Sequence, residues 1–231
     1  FHEVNCSEKG YRNEQLLGSA PNHCGVVVDD LLIEGKDALK LRGIIEKSIE
    51  NFGFTREEAP ENVNIKRIKL FEFVIRGLRN RVIAESDYEL IKLVSERIKK
   101  SVSSSFGIQE KNLFFTPICE ATRFKPIVAF QEFRHVDKVR SPPLVVTSII
   151  WLSTHGEHFS GGRLHFLMNN SLLIEPKLGR FAAWSSSYEC PHEVQELISG
   201  ERYALLFAFT VDPNSGHQSV DEMRHWYSSR V

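Results

Sequence analysis

The residues best suited to chemistry are His135, Asp137 and, 57 positions further on (192 − 135), His192. Two imidazoles and one carboxylate form a facial set for a divalent metal, above all non-heme Fe(II), with positions left open for substrates. His135 and Asp137 are two apart, so on a strand or at its end both project to the same face. His192 sits in Cys190-Pro191-His192-Glu193-Val194, shortly before Gly200 and an apolar run, 203–211, that reads as a strand. An antiparallel return would bring it opposite the first pair. Arg202 opens that run, and its guanidinium can hold an anionic co-substrate through a two-pronged hydrogen bond. Arg202, Ala204, Leu206 and Ala208 share one face of the run, mostly small side chains that suit the wall of a small-ligand pocket. Singly, each residue has a plainer reading, since His-X-Asp pairs arise by chance and an Arg at a strand start often points to solvent. Their combination carries the argument.

The elements that must position these residues fall into two textures. Residues 1–35 read as an irregular arm and 36–110 as helical support, followed by a strand-rich core over 111–212 and a polar tail over 213–231. Leu39, Leu41, Ile44, Ile45, Ile49 and Phe52 give an amphipathic helix from Lys36 to Phe52, stopped by Gly53. Glu57–Asn64 is a polar linker, and Ile68–Ile83 is expected to be helical. Ser86-Asp87-Tyr88-Glu89 matches a capping box, after which Ile91, Val94, Ile98 and Val102 repeat on one face until Gly107. Then come short β-branched and aromatic runs: 113–118, 127–133, 144–152, 163–166, 172–175, 181–184 and 203–211. Strands at this spacing make a sandwich or barrel. Helices first and strands afterwards predict an α+β domain whose helices brace one face of the sheet.

Composition narrows the function. With 42 % hydrophobic and 26 % charged residues the chain is a folded protein, not a disordered one. A formal net charge of −1 provides no basic field for nucleic acid. No apolar run approaches the roughly 18 residues needed to span a bilayer. The chain begins at Phe1 without Met and is expected to be a processed piece of a longer protein, so nothing about a leader carries over to full length. Asn5-Cys6-Ser7 and Asn169-Asn170-Ser171 make Asn5 and Asn169 glycosylation candidates in a secretory lumen. The cysteines at 6, 24, 119 and 190 fit no zinc ribbon and form no CxxC. Cys6 and Cys24 lie in a Gly-, Asn-, Ser- and Pro-containing stretch that buries little surface, which a disulfide would pin. Cys119 and Cys190 read as small core or near-site residues.

From HVDKV (135–139) through TSIIWLS (147–153), FSGGRLHF (159–166), IEPKLGRFAAWSS (174–186) and PHEVQELISGERYALLFAFT (191–210), the chain resembles the catalytic half of prolyl hydroxylases. These belong to the 2-oxoglutarate/Fe(II) dioxygenase superfamily. The resemblance implies a double-stranded β-helix, or jelly roll, braced by the N-terminal helices. It implies that His135, Asp137 and His192 bind Fe(II) and that Arg202 binds the distal carboxylate of 2-oxoglutarate, with ascorbate as an auxiliary. Where the family often places a Tyr for that carboxylate, this chain has Trp151, with Thr147 a secondary candidate on the same face; an indole donates one hydrogen bond and accepts none. The implied reaction is hydroxylation of a protein or peptide side chain with O2, prolyl first, releasing succinate and CO2. Loops at 119–134 and 153–162 would flank the substrate groove. A member similar over nearly the whole chain, from FHEVNCSE onward, implies a type II membrane protein of the secretory lumen, anchored before Phe1. Other readings are a divalent-metal hydrolase with Glu193 as base, which leaves Arg202 idle, a catalytically inactive jelly-roll scaffold that keeps its metal ligands, and an intracellular oxygen sensor.

Overall fold

The computed structural model describes residues 1–52, 65–126 and 132–230. Its strands are β1 (His2–Val4), β2 (Cys24–Asp29), β3 (Ile65–Lys69), β4 (Phe114–Phe124), β5 (Glu132–His135), β6 (Leu144–Trp151) and β7 (Phe159–Gly161). They continue with β8 (Leu164–Phe166), β9 (Leu172–Ile174), β10 (Phe181–Ser185), β11 (His192–Val194), β12 (Leu197–Gly200) and β13 (Arg202–Thr210). The helices are α1 (Arg12–Leu16), α2 (Gly35–Phe52), α3 (Leu70–Arg79), α4 (Glu85–Phe106), α5 (Asp137–Arg140) and α6 (Val220–Ser228).

Alternation along the strands sorts side chains between two cores. A seven-stranded antiparallel sheet runs β1-β2-β10-β6-β13-β4-β3, and a four-stranded sheet runs β5-β11-β8-β9. Between them lies a core of Ile149, Trp151, Phe166, Ala182, Trp184 and Ala204 with a few neighbours. Tyr203, Leu205, Phe207 and Phe209, the opposite face of β13, join the outer core beneath the helices. There α2 contributes Leu41, Ile44 and Ile45, and α4 contributes Ile91, Val94, Ile98 and Val102, all buried. This is the α+β jelly roll braced by helices. No described helix is long and apolar enough to cross a membrane.

Several elements depart from the sequence reading. The arm is not irregular throughout, because Cys24–Asp29 forms β2 and pairs with β10 inside the large sheet. Its run of Cys, Gly and three valines buries against both neighbours, and tertiary pairing outweighs the loop-like composition before it. The segment 68–83 is split: Ile68 and Lys69 finish β3, and α3 follows. Helix α4 starts at Glu85, so the Ser86–Glu89 box gives way to Asp87, whose Oδ2 accepts from the Ala84 N–H at 2.9 Å. The tail carries α6, capped by Ser219. Residues 119–124, expected as a loop, belong to β4. Glu57–Asn64 and most of the 127–133 run lie outside the described residues. Gly161 and Gly162 take φ of 75° and 62° in the turn that joins β7 to β8, two strands that pair with β12 and β11 rather than with each other.

Candidate metal centre

Strand register builds the centre. β11 pairs antiparallel with β5, and His192 stands directly opposite His135, with an irregularity between His192 and Val194. Val136 is extended (φ −126°, ψ 124°), so Asp137, the first residue of α5, returns to the side of His135. His135 Nε2 lies 3.3 Å from Asp137 Oδ1, and His192 Nε2 lies 3.7 Å from that same oxygen. Ligands about 2.1 Å from one metal sit about 3 Å apart when adjacent, so one small ion fits among these atoms. Among the described residues no other His, Cys, Asp or Glu group of three is so disposed.

Neighbours fix how each ligand presents itself. His192 Nδ1 lies 3.0 Å from the Cys190 carbonyl, which keeps the proton there and leaves Nε2 facing the metal position. The Trp184 indole donates to Asp137 Oδ2 at 2.8 Å, leaving Oδ1 toward the imidazoles. Burial pushes the Asp137 pKa up, but the hydrogen bond with His135, the charge of His192 and the Thr147 hydroxyl together outweigh it. They hold the carboxyl at about 2. Sequence reasoning missed Trp184, which in an apolar run looks like packing; its one signal is that a buried indole N–H needs a partner.

A cavity of about 170 Å³ opens at the three residues. Arg202 reaches it from the large sheet, 2 % exposed, its guanidinium 5.5 Å from the Phe124 ring and 6.0 Å from the Trp151 ring. Ile149, Leu206 and Ala208 supply an apolar wall, and Arg67 and Arg140 also line it. Trp151 is fully buried in the core between the sheets, and its Nε1 has no hydrogen-bond partner. Thr147 lines the cavity at the Asp137 end, its hydroxyl 3.0 Å from Ser186 Oγ, whereas Trp151 pairs in register with Ala204 near Arg202. Away from the cavity, Cys6 and Cys24 form a disulfide, while Cys119 and Cys190 are buried free thiols. Asn5 and Asn169 are both exposed.

The donor set suits Fe(II): two neutral nitrogens and one carboxylate oxygen on one side, with the cavity on the other. A sequence profile described as the 2OG-Fe(II) oxygenase superfamily matches residues 127–210, which contain all three residues and Arg202. The 2-oxoglutarate and iron-dependent oxygenase domain-containing protein 3 of Mus musculus is 29 % identical over 94 % of this chain and 72 % of its own length. Prolyl 3-hydroxylase 1 of Homo sapiens is 23 % identical, over 92 % of this chain and 31 % of its own. A prolyl hydroxylase of Trichoplax adhaerens, solved with a hypoxia inducible factor peptide fragment, superposes with a TM-score of 0.62 at 17 % identity. That match covers 96 % of this chain and 97 % of the other, and establishes the fold. Residues 127–210 match the 2OG-Fe(II) oxygenase superfamily, and the strand register and the donor set agree with that match.

Proposed function

We propose that the protein hydroxylates a side chain of a protein or peptide, with proline as the first candidate. The observation that carries this reading is the placement of His135 and His192 on the four-stranded sheet, Asp137 at the start of α5 just after β5, and Arg202 on the seven-stranded sheet, around one cavity. Nε2 of both histidines and Oδ1 of Asp137 would hold Fe(II), and Arg202 would grip the distal carboxylate of 2-oxoglutarate. With O2, that iron and co-substrate pair supplies C–H hydroxylation with release of succinate and CO2. The protein's part is geometry and dryness. Trp184 fixes Asp137, the Cys190 carbonyl fixes His192, and Ile149, Leu206 and Ala208 give the cavity an apolar wall. Trp151, whose indole N–H is unsatisfied and whose ring centre lies 6.0 Å from the Arg202 guanidinium, is the second donor proposed for the carboxylate, and Thr147 is proposed to act at the metal end. Ascorbate is the proposed auxiliary reductant.

A peptide substrate is favoured by two relatives, one named a prolyl 3-hydroxylase and one a prolyl hydroxylase solved with a peptide. The secretory lumen is the proposed compartment, with a membrane anchor before Phe1 in the full-length protein. The Cys6–Cys24 disulfide and the exposed Asn5 and Asn169 support that placement. A mobility shift on glycosidase treatment of protein from secreting cells checks it.

The deciding experiment is an anaerobic titration of the Fe(II)-loaded protein with 2-oxoglutarate. A visible metal-to-ligand charge-transfer band is expected, lost in His192→Ala and requiring much more 2-oxoglutarate in Arg202→Ala. Bound iron without a band at any concentration would sink the reading in favour of a jelly-roll scaffold that only holds metal.

A further inference from the structure

The disulfide-tied arm reaches the metal-ligand segments from their outer side. Helix α1 sets Glu14, 5 % exposed, against Lys138, the residue after Asp137. Glu14 Oε1 accepts from Lys138 Nζ at 2.6 Å, and the same ammonium donates to the Leu144 carbonyl at 2.8 Å. It also lies 5.3 Å from the centre of the Tyr11 ring. Tyr11, 1 % exposed, donates its hydroxyl to Glu189 Oε1 at 2.8 Å, three residues before His192. Gly10 presses so closely on the same loop that a Cβ there would lie 1.8 Å from Ser187 Oγ. One short stretch of arm therefore grips both segments that carry metal ligands.

The physical need for such a grip lies in α5. Four residues make a single turn, and one turn of helix has too few internal bonds to hold its own position. Asp137 is the first residue of that turn, so its place depends on outside fastenings. Besides the Trp184 indole on its carboxylate, these include the Lys138 N–H on the Ser186 carbonyl at 2.9 Å and the Lys138 ammonium between Glu14 and Leu144. A nearly buried Glu–Lys pair is a poor device for stability, because apolar residues of equal volume often serve as well or better. Fixing geometry is the use that remains. Tyr11 and Glu14 both fall outside the matched stretch 127–210.

We propose that Glu14 and Tyr11 are positioning residues for the metal centre, held against it by the Cys6–Cys24 disulfide. The proposal rests on the assignment of His135, Asp137 and His192 as metal ligands. The test is anaerobic titration of the whole chain with Co(II), whose visible d–d bands report ligand geometry. Wild type is compared with Glu14→Gln, Tyr11→Phe and Arg224→Ala. Glu14→Gln is expected to weaken Co(II) binding about 10- to 100-fold, the range for residues that orient metal ligands, and to shift the bands. Tyr11→Phe removes one oxygen and is expected to give a smaller loss in the same direction. Arg224→Ala breaks the pair with Glu85 and is expected to change neither affinity nor bands. Wild-type affinity and bands in both arm variants would overturn the proposal, and Tyr11→Phe decides alone if Glu14→Gln does not fold. Absence of Co(II) binding by wild type would instead overturn the ligand assignment, and the proposal with it.

Discussion

The Asp137 carboxylate is engaged on both oxygens. Its two oxygens are divided between an indole N–H and two imidazoles, and its acid form is suppressed to a pKa of about 2. An unfolded Asp titrates near ~3.9, so the folded value is depressed. The stabilisation this gives is in full force above about pH 4 and is lost as pH falls toward 2. In metal-free protein its size is on the order of 2 kcal/mol. Denaturant melts of Asp137→Asn should lack that part of the acid sensitivity; an identical pH profile would contradict the carboxylate's role. Trp184→Phe keeps the ring and removes only the N–H, and is expected to weaken metal binding about 10- to 100-fold in an equilibrium titration. His135, Asp137 and His192 were legible in the sequence through their combination with Arg202, since the His-X-Asp pair alone is common and His192 lies 57 positions further on (192 − 135). Trp184 was not, because its role depends on β10 lying beside Thr147 and facing α5, and single-strand periodicity carries no such cross-chain information.

At the scale of elements, the long periodic segments were readable, and so were β8, β9 and β10, anticipated by the runs 163–166, 172–175 and 181–184. Helix α4 announces itself through four apolar residues on one face and a glycine stop, with Gly107 in the left-handed region at φ 63°. Strands β7 and β11 have three residues each, too few for alternation to register, and they hold through pairing with neighbouring strands. The arm's β2 escaped for a related reason, as its partner β10 lies more than 150 residues away in sequence. The glycine turn between β7 and β8 has a functional edge. Gly162 sits at φ 62°, and a Cβ there would lie 3.0 Å from Leu197 Cδ1 and 3.2 Å from Arg202 Cδ. Gly162→Ala is expected to cost about 1–2 kcal/mol in backbone strain and to push Arg202 aside. Metal affinity should survive while 2-oxoglutarate affinity falls several-fold, two quantities the same spectroscopic titration separates. Equal loss of both would mean the turn serves only folding.

For the whole molecule, the Cys6–Cys24 bridge spans 18 positions of a segment with little core of its own. Closing a loop of that size stabilises by about 3 kcal/mol in the chain-entropy account. The double Cys6→Ser, Cys24→Ser variant should lower the denaturant midpoint accordingly, and an unshifted midpoint would show that β1 and α1 are held by packing alone. The larger organisation is a division of labour between two sheets that, among the described residues, share no ladder hydrogen bonds. Both histidines belong to the four-stranded sheet and Arg202 to the seven-stranded one, with a core of side chains between them. A short dicarboxylate seized by metal at one end and by guanidinium at the other would act as a strut across that gap. Its length would then set how far apart the leaves stand at the mouth, making the co-substrate a temporary part of the scaffold. The opening a peptide enters would be taut only while the strut is in place.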